Sequence, residues 1–157
     1  GGEFVDADAD PVLVDGRLFV ASYSDGVFAL DPKDGQTIWT RTAPAVTSLA
    51  GHDDLILAAS ADGYVWGLSQ REGQLVYRTR LPPGPMSRLV VDQNMVVLTA
   101  GDAGLIVLDA RTGKPLQAMS FGSALNGDPM WDGDDLALLS STGYLYKLSR
   151  GSRGLVE

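Results

Sequence analysis

The sequence predicts an all-β fold, a β-propeller of four-stranded antiparallel blades with about four blades in this chain. Three observations indicate it. Leucines that close a short apolar strand recur at intervals of 38, 40 and 40 residues, at Leu30, Leu68, Leu108 and Leu148. The 19 glycines fall at turn positions between apolar runs. Helical periodicity is absent over any useful length, so we expect less than one turn of helix.

The first unit shows how each element is predicted. Asp-Gly pairs between apolar runs indicate tight hairpins, because both central residues of a type I′ turn need positive φ. Four strands follow: Val12–Val14, Leu18–Ser22, Val27–Leu30 and Thr37–Thr42, with turns at Asp15-Gly16, Asp25-Gly26 and Gly35. The third strand is apolar on both faces, which favours sheets stacked on sheets. A two-sheet sandwich built from the same strands is the alternative fold.

Three further units repeat this pattern, with second strands "LILAAS", "MVVLTA" and "LALLSS". We expect one propeller segment over 1–157, with blades at about 10–42, 46–81, 86–120 and 125–150. The last unit stops after its third strand, at Leu148. An open array of blades exposes sheet edges. We therefore expect either the C-terminal half of an eight-bladed ring or two copies that pair to complete one.

A second repeated pattern surrounds the strand-closing leucines. The stretch "ALDPKDGQTIW" resembles the tryptophan-docking repeat of quinoprotein-type propellers, whose tryptophan packs between blades. Its residues here are Ala29, Asp31, Gly35 and Trp39 in the first unit, Gly73 and Tyr77 in the second, and Asp109 and Gly113 in the third. Gln117 stands at the tryptophan position of the third unit. A large planar side chain at this point buries extensive area between blades.

The stretch "FVDADADPVLVDGRLFVASYSDGVFALDPKDGQTIWTR" resembles the fifth-blade region of BamB-type lipoproteins. It contains the D-x-D-x-x-P segment and the A-L-D-x-x-x-G-x-x-x-W run of that family. The matching residues are Asp6, Asp8, Pro11, Gly16, Phe19, Tyr23, Gly26, Ala29, Leu30, Asp31, Gly35 and Trp39. The ending "STGYLYKLSR" also resembles the family's terminal strand. The resemblance therefore aligns the chain with the C-terminal half of the family.

This resemblance implies a non-enzymatic scaffold of the outer-membrane β-barrel assembly machinery, without a cofactor. Such proteins lie in the periplasm, held to the outer membrane by a lipidated cysteine upstream of this segment. They bind the periplasmic domains of the barrel-inserting subunit, and the resemblance assigns Asp6 and Asp8 to that contact. The competing function is a ligand- or protein-binding quinoprotein-like propeller domain of a sensor or multidomain protein.

The acidic segment allows three interpretations from its residues alone. Asp6, Asp8 and Asp10 alternate, so their carboxylates point the same way in an extended segment. Such a row favours a basic partner surface, but charge runs are also commonly solvated loops. Calcium is the third interpretation, because alternating aspartates supply hard oxygen ligands. The sixth position of a calcium loop needs glycine, however, and Pro11 stands there.

Composition excludes several function classes. The net charge of −8 argues against nucleic-acid binding, which needs a basic surface, and against attraction to an anionic membrane. The absence of cysteine excludes thiolate metal sites and cysteine nucleophiles.

His52 is the single histidine, and "GHDDL" predicts that it is a solvated turn residue. Aromatic residues that could line a sugar-binding face are interpreted instead as blade-to-blade packing: Tyr64, Trp66, Trp131, Tyr144 and Tyr146.

Overall fold

The computed structural model describes residues 9–82, 84–125, 127–151 and 154–156. This part of the chain contains β-strands and no helix, which confirms the all-β prediction. Hence it has no helix long and apolar enough to cross a membrane. The first sheet comprises β1 Val12–Val14, β2 Arg17–Ser22, β3 Gly26–Leu30 and β4 Thr37–Arg41; the second comprises β5 Val46–His52, β6 Leu55–Ser60, β7 Tyr64–Ser69 and β8 Leu75–Arg80.

Two more sheets follow with the same connectivity. The third comprises β9 Val90–Asp92, β10 Met95–Thr99, β11 Leu105–Asp109 and β12 Pro115–Met119; the fourth comprises β13 Met130–Asp132, β14 Asp135–Leu139, β15 Leu145–Gly151 and β16 Gly154–Val156. In each sheet the strands pair antiparallel with their neighbours in chain order. The last two strands of the first three sheets shift register at equivalent points, which are Ala29/Leu30, Gly67/Leu68 and Val107/Leu108.

The fourth sheet has a last strand that the sequence does not predict. β16 pairs antiparallel with β15, with Leu155 opposite Arg150. The expectation that the last unit stops after its third strand is therefore wrong. The short strand carries little pattern of its own, but the side chain of Gln117 hydrogen-bonds to the backbone of Leu155 in both directions. A contact 38 residues away in sequence thus fixes β16.

The first two hairpins of the first sheet use different turns. Asp15 and Gly16 have φ of 48° and 73°, as a type I′ turn requires. In the second hairpin Gly26 has φ of 114°, but Asp25 is not among the residues with positive φ. The prediction of a type I′ turn there is wrong. The carboxylate of Asp25 instead accepts hydrogen bonds from the hydroxyls of Ser22 and Ser24, which stabilises a longer turn.

The structure forms two compact units, residues 1–81 with 111–113 and residues 82–110 with 114–157. The core of the first unit joins residues of the first sheet, among them Phe19, Ala21, Val27 and Ala29, to Ile56, Ala58, Trp66 and Leu68 of the second. The core of the second unit joins Val97, Leu105 and Val107 to Leu136, Leu138 and Leu148. Burying one such large side chain contributes about 1.5–3 kcal/mol. Sheet-on-sheet packing therefore holds each unit together.

Candidate functional site

Trp39 lies at the junction between the first two sheets. Its ring packs against Phe19, with centroids 5.8 Å apart. It also covers the backbone of Gly73, where an added Cβ would lie 2.6 Å from Trp39 Cε3. Gly73 has φ of +67°, a conformation that side chains disfavour. A glycine at this turn is therefore required twice, once by its backbone and once by the indole that lies on it.

The same arrangement recurs at Tyr77 within the first unit. Its ring lies against Gly113, where an added Cβ would overlap ring carbons. Thr79 Oγ1 donates a hydrogen bond to the carbonyl of Gly113 at 2.7 Å. Gly113 also has positive φ, +68°. We call such a pair, a glycine with positive φ and the side chain that covers it, a docking slot.

The second unit fills its docking slot with an amide. An added Cβ at Gly154 would lie 2.6 Å from Gln117 Oε1. Gln117 Nε2 donates to the Leu155 carbonyl at 2.7 Å, and the Leu155 N–H donates to Oε1 at 2.9 Å. The side chain therefore pairs with the backbone as a neighbouring strand would.

The remaining motif residues shape strands and turns. Ala29 is fully buried opposite Trp39. Asp31 Oδ1 accepts the N–H of Lys33, and its carbonyl accepts the N–H of Gly35. Asp109 Oδ2 accepts a hydrogen bond from Asn94 Nδ2. Gly35 has φ of +70° with open space around it, so only its backbone conformation calls for glycine.

Gln70 is the hydrogen-bonding hub beside the first docking slot. Its carbonyl accepts Trp39 Nε1 at 2.9 Å and Arg17 Nη1 at 2.7 Å. Its Nε2 donates to the carbonyls of Asp53 and Leu55, and its N–H donates to the carbonyl of Asp54. Gln70 is 6% exposed. The hub therefore joins strands β2 and β4 of the first sheet to the Asp53-Asp54 turn of the second.

The sequence gives no signal for this hub. Gln70 directly follows the strand-closing pair of the second unit, but proline, alanine and arginine stand at the equivalent positions of the other units: Pro32, Ala110 and Arg150. Arg17 begins β2, whereas the strand predicted from the sequence starts one residue later, at Leu18. Neither residue belongs to the repeated pattern, which is why the repeat did not reveal them.

A groove of about 530 Å³ opens beside the hub, within the first unit. Its walls are polar and charged throughout: Asp15, Arg17, Asp54, Ser69, Gln70, Arg71 and Glu72. Arg17 is half-buried, whereas Asp15, Asp54, Arg71 and Glu72 are exposed. Small-molecule sites are usually lined by apolar side chains. This lining is instead suited to charged groups of a partner.

Ion pairs in the second unit include Arg88–Asp128 and Lys147–Asp135. The N–H and Nε of Arg88 donate to the two carboxylate oxygens of Asp128. Partial burial acts to raise the pKa of Asp128, but these hydrogen bonds and the Arg88 charge together lower it below the ordinary 3.8. Hydrogen bonds from Lys147 and then from Ser149 lower the pKa of Asp135. Asp135 in turn raises the pKa of Lys147.

The predicted partner-binding residues, Asp6 and Asp8, lie outside the described residues. Their neighbour Asp10 is exposed. Among the residues that the structure describes, no group of three or more histidine, cysteine or acidic side chains is placed to hold a metal ion.

His52 is not a solvated turn residue, so that interpretation is wrong. It ends β5 opposite Leu55, and its side chain is 11% exposed, with Nε2 3.6 Å from Asp53 Oδ2. The Asp53-Asp54 turn follows it, and the positive φ of Asp53 allows the tight reversal.

The aromatic residues divide between packing and exposure. Trp66 is buried in the core of the first unit, and the Arg78 guanidinium lies 4.7 Å from the Tyr64 ring centroid and 5.2 Å from that of Trp66. Trp131 and Tyr146 pack against the core of the second unit. Tyr144 is 66% exposed, so the packing interpretation is wrong for it. It precedes β15 and lies at the sheet's end rather than in its centre.

Comparisons with known proteins match this architecture. The model of a family described as outer membrane protein assembly factor BamB matches residues 3–89. The assembly factor BamB of Legionella pneumophila is 29% identical over 150 residues, and that of Alkalilimnicola ehrlichii is 29% identical over 146. Each match covers 92% of this chain but 38% of the relative. The chain therefore spans well under half the length of these relatives.

Solved structures show the same fold. BamB from Moraxella catarrhalis superposes with a TM-score of 0.79 and 21% identity, over 90% of this chain and 43% of that one. The computationally designed Ika4 protein superposes with a TM-score of 0.79 and 18% identity, over 96% and 94% of the two chains. The four sheets thus have the fold of β-propeller blades, as the sequence predicts.

Proposed function

The chain belongs to the family described as outer membrane protein assembly factor BamB, and we propose that it is a non-enzymatic scaffold of outer-membrane protein assembly. Its place is then the periplasm, associated with the outer membrane. The family match over residues 3–89 carries this proposal. The geometry supports it, because docking slots and a hydrogen-bonded hub give rigid sheets that can present loops to a partner.

The partner that we propose is the set of periplasmic domains of the barrel-inserting subunit. The contact is made by Asp6 and Asp8, which lie within the matched segment. A basic surface of the partner would meet these carboxylates, and truncating one member of a buried charge pair costs about 2–5 kcal/mol. The acidic row would thus set the orientation and association rate of docking.

A capture experiment tests this contact. The purified chain is immobilised and presented with the periplasmic domains of the barrel-inserting subunit, as wild type and as the Asp6→Lys/Asp8→Lys variant. We expect the wild type to capture them and the variant to lose capture. A thermal midpoint close to that of the wild type would show that the loss does not come from unfolding.

A matched control makes the same charge change elsewhere. Asp102→Lys/Asp134→Lys reverses two exposed carboxylates of the second unit and should keep capture. Capture that survives in the Asp6→Lys/Asp8→Lys variant would show that the contact lies elsewhere. A wild type that captures nothing, and whose melting point is raised by a small molecule instead, would favour a ligand-binding propeller domain.

Pairing of two copies stays a prediction, which exposed apolar residues of the fourth sheet support. Leu139 and Leu145 are opposite each other and are 53% and 72% exposed, and Met130 is 66% exposed. Apolar patches of this kind often mark interfaces. Sedimentation of the 157-residue chain should show a dimer, and Leu139→Lys/Leu145→Lys should give a monomer. A wild-type monomer would contradict the prediction.

A further inference from the structure

The polar groove beside Gln70 is lined by charged side chains that the proposed scaffold function does not use. Five charged side chains line it: Asp15, Arg17, Asp54, Arg71 and Glu72. None of the five is in an ion pair with another residue in the part of the chain that the structure describes. Charges of both signs therefore face one groove and remain available to a ligand.

Arg17 is the best-positioned of these charges. It is half-buried, and Nη1 is tied to the Gln70 carbonyl at 2.7 Å. That carbonyl is itself fixed by the Trp39 indole, and the Gln70 side chain is fixed by two backbone carbonyls. One hydrogen bond leaves most of the five guanidinium donors free, and a planar fork suits a carboxylate. Arg17 is thus held in place with guanidinium donors left for a ligand.

The exposed charges of the groove indicate which groups a ligand should carry beside a carboxylate bound to Arg17. Asp15, Asp54 and Glu72 supply three negative charges around the groove, against one further positive charge from Arg71. The whole chain carries −8, so a purely acidic ligand is repelled over a distance. A ligand that brings basic groups beside its carboxylate meets both sets of charges.

We propose that this groove is a second protein-docking site, which binds an extended segment with one acidic residue between basic residues. The acidic side chain pairs with Arg17, and the flanking lysines or arginines face Asp15, Asp54 and Glu72. An enclosed apolar ligand is disfavoured because, among the residues that the structure describes, no large apolar side chain lines the groove. The proposal rests on neither Asp6 nor Asp8, and it does not depend on the partner proposed above.

Peptide titration of the isotope-labelled 157-residue chain tests the proposal. The probe is a capped Gly-Lys-Glu-Lys-Gly peptide, and the comparison is its charge-inverted form, Gly-Glu-Lys-Glu-Gly. We expect the first to shift the backbone amide signals of Gln70, Arg71 and Glu72 with a Kd of about 0.1–1 mM at low salt, weakening as salt rises. The inverted peptide should bind at least about fivefold more weakly.

Two conservative variants compare the positioned arginine with an exposed arginine outside the groove. Arg17→Lys keeps the charge but loses the fork, and should weaken binding at least about fivefold. Arg80→Lys is the matched control and should change binding less than about twofold, because Arg80 is exposed and does not line the groove. Unshifted signals of Trp39 and Gly73 in both variants would show that the hub is intact.

Several results would overturn the proposal. These are equal binding of the two peptides, equal loss in the two variants, or the absence of saturable shifts at these amides. Inorganic phosphate that produces the same shifts with the same affinity as the probe would reduce the site to an anion contact and would also contradict it. Failure of the capture experiment with Asp6 and Asp8 would leave these outcomes unaffected.

Discussion

The docking slots of the two units each cover a glycine, but with side chains of different chemistry. In the first unit an indole lies over Gly73, packs on Phe19 and donates one hydrogen bond to the Gln70 carbonyl. In the second unit the amide of Gln117 lies over Gly154 and makes two hydrogen bonds to Leu155. In both units a side chain fills the space above the glycine. The indole contributes apolar contact, whereas the amide contributes hydrogen bonds to the backbone. The repeat therefore fixes where this side chain lies, and the type of side chain determines which interaction stabilises the contact.

The largest expected effect follows from removing the indole. Trp39→Ala loses the contact area with Phe19 and the hydrogen bond to Gln70, and should lower the free energy of unfolding by about 3 kcal/mol, the low end for such truncations because Trp39 is partly exposed. Urea denaturation measures it. A loss below about 1 kcal/mol would mean that the indole does not hold the first two sheets together.

Two turn glycines, one covered by the indole and one open, separate the cost of the clash from the cost of the backbone strain. Gly73→Ala should cost about 2 kcal/mol, since it adds a clash with Trp39 to the strain of positive φ. Gly35→Ala is its matched control, because its φ of +70° is nearly the same and nothing lies within 4 Å. That control should cost about 1 kcal/mol. Equal losses in urea denaturation would show that Trp39 yields freely to the added methyl group.

The amide slot should be weaker than the indole slot. Gln117→Ala removes two hydrogen bonds to Leu155, each contributing about 0.5–1.5 kcal/mol, and should destabilise the chain by about 1–2 kcal/mol. Hydrogen exchange at the Leu155 amide should quicken more than exchange elsewhere, because that N–H loses its acceptor. Unchanged exchange at Leu155 would contradict the assignment of Gln117 to β16.

The smallest expected effect concerns the Arg88–Asp128 pair. Its side chains are 60% and 41% exposed, so Asp128→Asn should cost less than about 1 kcal/mol at pH 7. Because the folded pKa of Asp128 is lowered, its contribution is present above the ordinary 3.8 and is lost as pH falls through the folded value. Urea denaturation of wild type and variant should converge below that pH. A gap that persists in acid would exclude the ion pair as its cause.

Sequence reasoning reached the fold because the repeat is a local signal. Leucine spacing and turn glycines predict four-stranded sheets in series, and the all-β propeller fold is confirmed. The predictions from the sequence failed at β16, at the Asp25-Gly26 turn and at His52, because contacts with distant residues or with side chains outweigh the local sequence pattern there. Gln70 and Arg17 were missed for the same reason, since their hydrogen bond joins residues 53 positions apart. The assignment of Asp6 and Asp8 to a partner contact stays a prediction.

A double-mutant cycle on Trp39 and Gly73 tests the docking slot most directly. Unfolding free energies are measured for Trp39→Ala, Gly73→Ala and the double variant. If the indole occupies the space that an alanine methyl would enter, the double variant should be less destabilised than the sum of the single changes by at least about 1 kcal/mol. Additivity within about 0.3 kcal/mol would contradict the account, because the two residues would then act independently.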